Sequence, residues 1–154
     1  VIMSYEDAVR IRDSWLNTYS GIREWQKNNM DRARDTEDDK WAEVRIPKTN
    51  MRRFLRGKLN RVTVRCNTPI QGAGAAILKC TLKDLWPKVK EQGEEKVKIA
   101  AAVHDELILL VKEDIADEWA SILKTTMEEA EALWLKDVPA LAEVSIGDKW
   151  SEVH

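Results

Sequence analysis

Hydrophobic residues recur at helical spacing along several stretches of the chain, beginning close to its start. Ser4 followed by Asp7 resembles a capping box, and the apolar residues behind this pair share one helical face as far as Tyr19. After Gly21 a second helical stretch begins, and it fades within the polar run 28–40. The start of the chain therefore predicts two consecutive helices.

Two segments alternate between apolar and polar residues in the way that strands do. Residues 41–46 alternate, residues 47–50 indicate a turn, and residues 51–55 predict a returning strand, which together make a basic hairpin. Residues 97–112 form an apolar run that is interrupted at its centre by the polar triplet 104–106. This second pattern predicts a tight antiparallel hairpin with its turn at the triplet.

Two more helices and a last strand are predicted between and after the hairpins. A helix is expected from residue 68 to about 86, because Pro87 would break the hydrogen bonding of a helix interior. Asp114 is expected to cap a helix over 116–134, and residues 141–146 are expected to form a short strand. The fold class predicted is α+β, with a small antiparallel sheet packed against several long helices.

Length and composition narrow the class of protein. A chain of 154 residues suffices for one compact domain, and it contains no stretch of about 18 apolar residues that would span a membrane. Cys66 and Cys80 alone make no disulfide framework, so we expect a reducing compartment. No signal peptide precedes the first helical pattern. Because the first residue is Val1, we expect the chain to be a piece of a longer polypeptide.

Charge is sorted along the chain although the net charge is only -2. Residues 45–65 carry eight basic side chains and no acidic one: Arg45, Lys48, Arg52, Arg53, Arg56, Lys58, Arg61 and Arg65. Residues 113–143 carry nine acidic side chains against two lysines. Either run is compatible with a simple solvated surface, but the basic one also suits contact with phosphate.

The triplet His104-Asp105-Glu106 is the strongest candidate for chemistry. Ordinary two-residue hairpin turns favour Asn-Gly or Asp-Gly, and this turn has neither. Carboxylates on a rigid turn suit Mg²⁺, which proteins hold with one or two carboxylates together with substrate phosphates. The alternative is a solvated hairpin tip without a ligand.

A second candidate is the segment 67–72, where the predicted helix begins. Asn67 and Gln71 are four residues apart and so share one helical face, and each carries an amide that both donates and accepts. Such amides can bond the acceptors that every base pair presents in the minor groove, and Gly72 would allow nucleic acid to approach closely. The alternative is that Asn67 is only a helix cap and Gln71 a surface residue.

Several enzyme classes lack the residues that they need here. A zinc site or a metal phosphohydrolase of the HD type would need more than the two histidines, His104 and His154, and the two cysteines show no paired spacing. No local signature surrounds a serine or cysteine nucleophile. No glycine-rich phosphate loop with a following lysine is present.

Taken together, these segments resemble the C-terminal part of the palm of family A DNA polymerases. The resemblance lies in the order and spacing of four segments over nearly the whole chain: Tyr19-x-Gly21, Asn67-x-Pro69-x-Gln71-Gly72 with Lys79, Val103-His104-Asp105-Glu106-Leu107, and Glu143 through Gly147 and Trp150 to His154. The small residues 73–76 are closer to the phage branch of the family. Thr63 stands where many bacterial members have an arginine.

The resemblance implies a division of the chain. Residues 1–40 would be the helical pair that follows the fingers, residues 41–65 a basic hairpin and link, and residues 66–154 the palm with its C motif. The A motif and the fingers helix lie upstream in this family, and neither segment is present. The chain alone would therefore be an incomplete and inactive part of a DNA-directed DNA polymerase in the cytoplasm of a bacterial or phage-infected cell.

The resemblance also implies roles for individual residues in two-metal nucleotidyl transfer. Asp105 and Glu106 would be the catalytic carboxylates and Mg²⁺ ligands, with the metal site completed by an acidic residue outside this chain. The DNA-binding residues would be His104 at the primer end, Asn67 and Gln71 in the minor groove, and Arg52, Arg53 and Arg65 at phosphates. The implied partners are primer-template DNA, a deoxynucleoside triphosphate and the remainder of the polymerase on the same or a separate chain.

Two other hypotheses stay open from the sequence. A non-catalytic DNA-binding remnant or split-polymerase subunit would bind DNA with an affinity that falls with salt and ignores Mg²⁺. A plain interaction domain would have its tryptophans in the core or facing a partner and would have no affinity for DNA.

Overall fold

A computed structural model describes the backbone of residues 3–31, 33–35 and 40–153, and the side chains of residues 3–28 and 41–153. The chain divides into two compact units, Val1–Ile70 and Gln71–His154. Its helices and antiparallel sheets confirm the α+β class.

The first unit begins with the two predicted helices, α1 (Tyr5–Thr18) and α2 (Ser20–Asp31). The backbone N–H of Asp7 donates to the Ser4 hydroxyl at 3.1 Å, and that hydroxyl donates to the Asp7 carboxylate at 2.7 Å. Ser4 therefore caps α1 as predicted, because it satisfies one of the N–H groups that a helix start leaves unpaired. The break between the two helices lies at Tyr19.

Three antiparallel strands form the sheet of the first unit in the order β1 (Ala33–Asp35), β2 (Lys40–Arg45) and β3 (Arg52–Arg56). The predicted basic hairpin is confirmed as β2 and β3, which pair from Trp41↔Arg56 to Arg45↔Arg52. Strand β1 lies in the polar run where no strand was predicted. Alternate residues face opposite sides of a strand, and the buried ones (Ala42, Val44, Ile46 and Leu55) define an inner face.

The third helix is longer than the sequence predicts. α3 spans Val62–Gln92, so the predicted start at 68 and the predicted end near 86 are both wrong. Pro69 and Pro87 lie inside the helix, where each removes one backbone hydrogen bond without ending it. The helix ends instead at Gly93, whose φ of 95° suits a residue without Cβ and whose N–H donates to the carbonyl of Val89 at 3.1 Å.

The second predicted hairpin is confirmed as β4 (Val97–Val103) and β5 (Glu106–Val111). The pairing runs from Val97↔Val111 to Val103↔Glu106, with a shift of register between Ile99 and Ala101. Such a bulge adds one residue to β4 and changes which of its side chains face each side. The loop between the strands consists of His104 and Asp105.

Helix α4 (Ala116–Ala132) follows a 3-10 turn, Glu113–Ile115. The prediction that Asp114 caps this helix is wrong, because Asp114 lies within the turn and no side chain bonds the start of α4. α3, α4 and the hairpin enclose a common core: Leu85, Val89, Val97, Leu107, Trp119 and Leu123. The ammonium of Lys88 donates to the buried Thr126 hydroxyl at 2.8 Å and ties α3 to α4.

The predicted strand over 141–146 is wrong, because this segment has no regular structure. The backbone N–H of Ala142 donates to the carboxylate of Glu128 on α4 at 3.2 Å, which uses a side chain in place of a neighbouring strand. The chain then reaches the short helix α5 (Trp150–Val153). None of the described helices is both long and apolar enough to cross a bilayer.

Candidate functional site: the β4–β5 hairpin tip, helix α3 and the basic strand

The tip of the β4–β5 hairpin presents His104, Asp105 and Glu106 to solvent, as all three are exposed. Glu106 is the first residue of β5 and pairs with Val103, so the acidic pair spans the end of the loop and the start of the strand. His104 adopts a φ of 54°, which few residues other than glycine tolerate, although histidine does so more often than most. The tip is thus a tight turn in which a histidine occupies a strained backbone conformation that glycine would adopt more easily.

The hairpin holds this tip rigidly because one of its faces belongs to the core. Val97 and Leu107 are buried among Leu85 and Val89 of α3 and Trp119 of α4. The tip itself lies outside this packing, since all three of its residues are exposed. A side chain at the tip is therefore positioned by the core without being enclosed by it.

The tip provides an incomplete set of ligands for a metal ion. Asp105 and Glu106 are two carboxylates, and residues 3–28 and 41–153 contain no group of three or more His, Cys, Asp or Glu side chains that could hold a metal. Hard cations such as Mg²⁺ are held by one or two carboxylates with waters and substrate phosphates. The donor set therefore fits Mg²⁺ if further ligands come from outside the described chain.

Asn67 and Gln71 both lie exposed on α3, one helical turn apart. Gly74 and Ala75 continue along the same exposed side of the helix. Nothing lies within 4 Å of where a Cβ on Gly74 would sit. Helix α3 therefore shows two exposed amide side chains followed by the small exposed residues Gly74 and Ala75, whereas Gly72, the glycine singled out from the sequence, is half-buried.

The three predicted phosphate contacts differ in exposure. Arg52 and Arg53 are exposed on β3, and Arg52 lies 3.8 Å from the carboxylate of Glu43. Arg65 is 8% exposed within α3. Burial raises the pKa of the neighbouring Cys66 thiol, and the Arg65 charge partly opposes that rise. Arg65 would have to leave this packing to contact a phosphate, whereas Arg52 and Arg53 would not.

The predicted site residues are divided between the two units. Arg52, Arg53, Arg65 and Asn67 belong to the first unit. Gln71 and the hairpin tip belong to the second.

One feature of the first unit was not selected from the sequence. Trp41 and Phe54 face outward on β2 and β3, and their ring centroids are 5.8 Å apart. The signal was the alternation of residues 41–46, which assigns Trp41 to the face opposite Ala42 and Val44.

Comparison with known proteins extends the resemblance over the whole chain. The family model for DNA polymerase family A matches residues 1–152. DNA polymerase I of Lactococcus lactis subsp. cremoris is 33% identical over 151 residues, which are 96% of this chain and 16% of that protein. The thermostable DNA polymerase I of Thermus thermophilus is 29% identical over 150 residues (95% of this chain, 17% of that protein). DNA polymerase I of Aquifex aeolicus is 29% identical over 152 residues (99% and 25%).

These comparisons show which family the chain belongs to and how much of its relatives' length it covers. The chain spans from about a sixth to a quarter of the length of the relatives named. The match nevertheless runs through the hairpin tip, the amide-bearing helix and the basic strand, which lie within residues 1–152. The chain therefore belongs to DNA polymerase family A.

Proposed function

We propose that this chain forms the C-terminal part of the palm in a DNA-directed DNA polymerase, contributes the C motif carboxylates and needs the remainder of the polymerase to act. The observation that carries the proposal is the exposed pair Asp105 and Glu106, held on a core-anchored hairpin tip in a family A chain. The similarity of residues 73–76 to the phage branch is part of the proposal, while the relatives named above are bacterial.

Asp105 would be the direct ligand of Mg²⁺, and Glu106 would support it from the start of β5. Two bound Mg²⁺ ions would lower the pKa of the primer 3′-hydroxyl and offset the charge of the nucleotide phosphates. An acidic residue outside this chain would complete the site. His104 would hold the primer end beside these carboxylates.

The contacts to primer-template DNA would come from α3 and β3. Asn67 and Gln71 would bond minor-groove acceptors, which correct base pairs present at equivalent places, so that they test the shape of the pair. Arg52 and Arg53 would grip phosphates without regard to sequence. Arg65 is a third candidate for such a contact, although its burial favours the two exposed arginines.

The proposal is tested by Asp105→Asn in the polymerase assembled from this chain and its remainder. The substitution keeps the size of the side chain and removes the charge that binds a metal. We expect the rate of primer extension to fall at least about a hundredfold, because metal-ion catalysis supplies several kcal/mol. The affinity for primer-template DNA should stay within about twofold of the original.

The matched control is Asp117→Asn, which removes an exposed carboxylate from α4. This control should extend primers at the original rate. A substantial rate of extension by Asp105→Asn would contradict its assignment as a metal ligand. DNA binding that ignores Mg²⁺, together with no extension by the unaltered assembly, would instead indicate a non-catalytic remnant or split-polymerase subunit.

A further inference from the structure

The β2–β3 pair has a second face, opposite the buried one, and its composition is unlike that of an ordinary solvated surface. Alternation and register assign to this outer face two aromatic and four charged residues: Trp41, Glu43, Arg45, Arg52, Phe54 and Arg56. All six belong to the first unit, so the face is complete within it. Three of its four charged side chains are arginines, which gives it a positive charge.

The two aromatic rings of this face form a pair, with Phe54 at the middle of β3 and Trp41 in the end pair of the β2–β3 ladder. Trp41 and Phe54 are diagonal neighbours across the strands, with centroids 5.8 Å apart and an angle of 51° between the ring planes. Phe54 is 55% exposed although its side chain is wholly apolar. The rings therefore pack against each other in a tilted arrangement and leave part of the phenylalanine surface uncovered.

The charged residues of the outer face are arranged around these rings. Glu43 lies directly opposite Phe54 and accepts from the Nε of Arg45 at 2.8 Å, while Arg52 lies 3.8 Å from the same carboxylate oxygen. Arg56 lies opposite Trp41. Arginine is thus present on both sides of the aromatic pair, and the single acid holds Arg45 in place.

We propose that this outer face binds a single-stranded segment of nucleic acid, with an unpaired base stacked on the exposed Phe54 ring and the arginines at the flanking phosphates. Aromatic rings beside cationic side chains are the common means of holding single strands, because every base has a flat face on which to stack. A base inside a duplex has both faces covered by its neighbours, so a ring at the surface cannot use it.

The charge of the face decides between nucleic acid and a protein partner. All three arginines of the outer face, Arg45, Arg52 and Arg56, come from the stretch 45–65, which contains no acidic residue. A polyanion that also carries flat apolar groups matches both properties of the face at once. The binding of a single strand is inferred from this face alone. That the strand is an unpaired part of the template rests on the proposed polymerase function.

The test compares two oligonucleotides of equal length and charge, oligo(dT) and an abasic strand, in their binding to the 154-residue chain. We expect the chain to bind oligo(dT) more tightly than the abasic strand. Phe54→Leu should weaken oligo(dT) binding at least about fivefold and leave abasic binding unchanged, because it removes the stacking ring and no charge. Leucine keeps an apolar side chain at an exposed position, and circular dichroism confirms that the variant is folded.

Tyr5→Leu is the matched control, since Tyr5 is an 83% exposed aromatic residue on α1 outside the face. This variant should bind oligo(dT) as the unaltered chain does. Equal binding of oligo(dT) by Phe54→Leu and the unaltered chain would overturn the inference. Competition by polyglutamate of matched charge, equal to that by oligo(dT), would overturn it in favour of an acidic protein partner.

A blunt DNA duplex separates this inference from the proposed function. Phe54→Leu should bind the duplex as the unaltered chain does. Duplex binding without any preference for oligo(dT) over the abasic strand would overturn the inference and leave the polymerase proposal standing. Binding of neither single strands nor duplex would overturn the inference, whereas the proposed function is decided separately by primer extension with the assembled polymerase.

Discussion

His104 combines a strained backbone with a position beside two exposed carboxylates. Its φ of 54° lies in the left-handed region, where a residue with a Cβ pays about 1–2 kcal/mol relative to the ordinary helical region. Two-residue hairpin loops usually avoid this cost with glycine or asparagine. A histidine kept there is explained if its ring serves the substrate, which agrees with the proposed contact to the primer end.

We predict that His104→Gly raises the stability of the chain and lowers the activity of the assembled polymerase. The free energy of unfolding should rise by up to about 1 kcal/mol, since relief of the backbone strain outweighs the extra entropy of glycine in the unfolded chain. Primer extension by the assembled polymerase should fall. Urea denaturation of the chain and a primer-extension assay measure the two effects.

Lys48 provides the backbone control for this prediction, because it has a φ of 55° in the β2–β3 turn. Lys48→Gly should raise the free energy of unfolding by a similar amount. A loss of stability in His104→Gly, with a gain in Lys48→Gly, would show that the histidine side chain supports the fold rather than the reaction.

At the scale of elements, two glycines of α3 have different structural roles, one within the helix and one at its end. Gly93 ends the helix with a φ of 95°, while Gly74 lies within the helix with nothing within 4 Å of an added Cβ. Gly93→Ala should lower the free energy of unfolding by about 1 kcal/mol or more because alanine is strained at that φ. Gly74→Ala should raise it by about 1 kcal/mol because alanine favours a helix interior.

Urea denaturation of the two variants beside the unaltered chain gives the comparison directly. Opposite signs are expected although the substitution is the same. A similar loss in both variants would mean that Gly74 is packed closely in solution. A similar gain in both would mean that Gly93 does not hold the left-handed end of the helix.

The limits of α3 could not be predicted from its local sequence. Pro69 and Pro87 suggest helix limits when each residue is judged alone, but a helix of 31 residues retains enough other hydrogen bonds to pass through both. Gly93 is the residue that ends the helix, through its positive φ. The position at which a helix ends therefore depends on how much tertiary packing stabilises the residues on either side of a proline.

The hairpins were predictable because their signals are local, whereas the last strand was not. Alternation and a polar turn identify β2–β3 within 17 residues and β4–β5 within 15 residues. A lone strand such as 141–146 exists only if a neighbour accepts its hydrogen bonds, and Ala142 bonds the Glu128 side chain instead. That choice is set by tertiary contacts that the local sequence does not contain.

The candidate site shows the same division between local and distant information. The spacing of Asn67 and Gln71 and the acidic pair at the hairpin were visible as motifs, and the structure exposes all four side chains. The burial of Arg65 was not visible, because a basic residue in a basic run looks like surface. The exposure of Phe54 was not predictable either, because an aromatic residue in a strand is more often buried.

At the scale of the whole molecule, the separation of charge along the chain bears on the proposed binding of DNA. The basic run 45–65 lies within the first unit, and most of the acidic run 113–143 lies on or beside α4 of the second. A net charge of -2 would by itself predict weak repulsion from DNA. A local excess of eight basic residues can still attract phosphate, because the local potential of a surface depends on how charge is distributed and not only on the net charge.

This charge separation predicts a strong salt dependence that depends on particular arginines. The logarithm of the duplex-binding constant should fall linearly with the logarithm of salt concentration, with a slope of about -0.9 for each phosphate neutralised. The double substitution Arg52→Gln, Arg53→Gln should therefore make the slope shallower by about 2 units if each arginine contacts one phosphate. Fluorescence anisotropy of a labelled duplex at four or more salt concentrations measures the slope.

Arg12→Gln is the control, because Arg12 is an exposed arginine on α1 that is paired with Asp13 at 2.8 Å and lies outside the basic run. Its slope should equal that of the unaltered chain, since counterion release depends on contacts made and not on total charge. Equal shallowing by Arg12→Gln and by each arginine of β3 would show that DNA responds to net charge alone. An unchanged slope in the double variant would remove Arg52 and Arg53 from the interface, and the grip on DNA would then have to come from another part of the basic run.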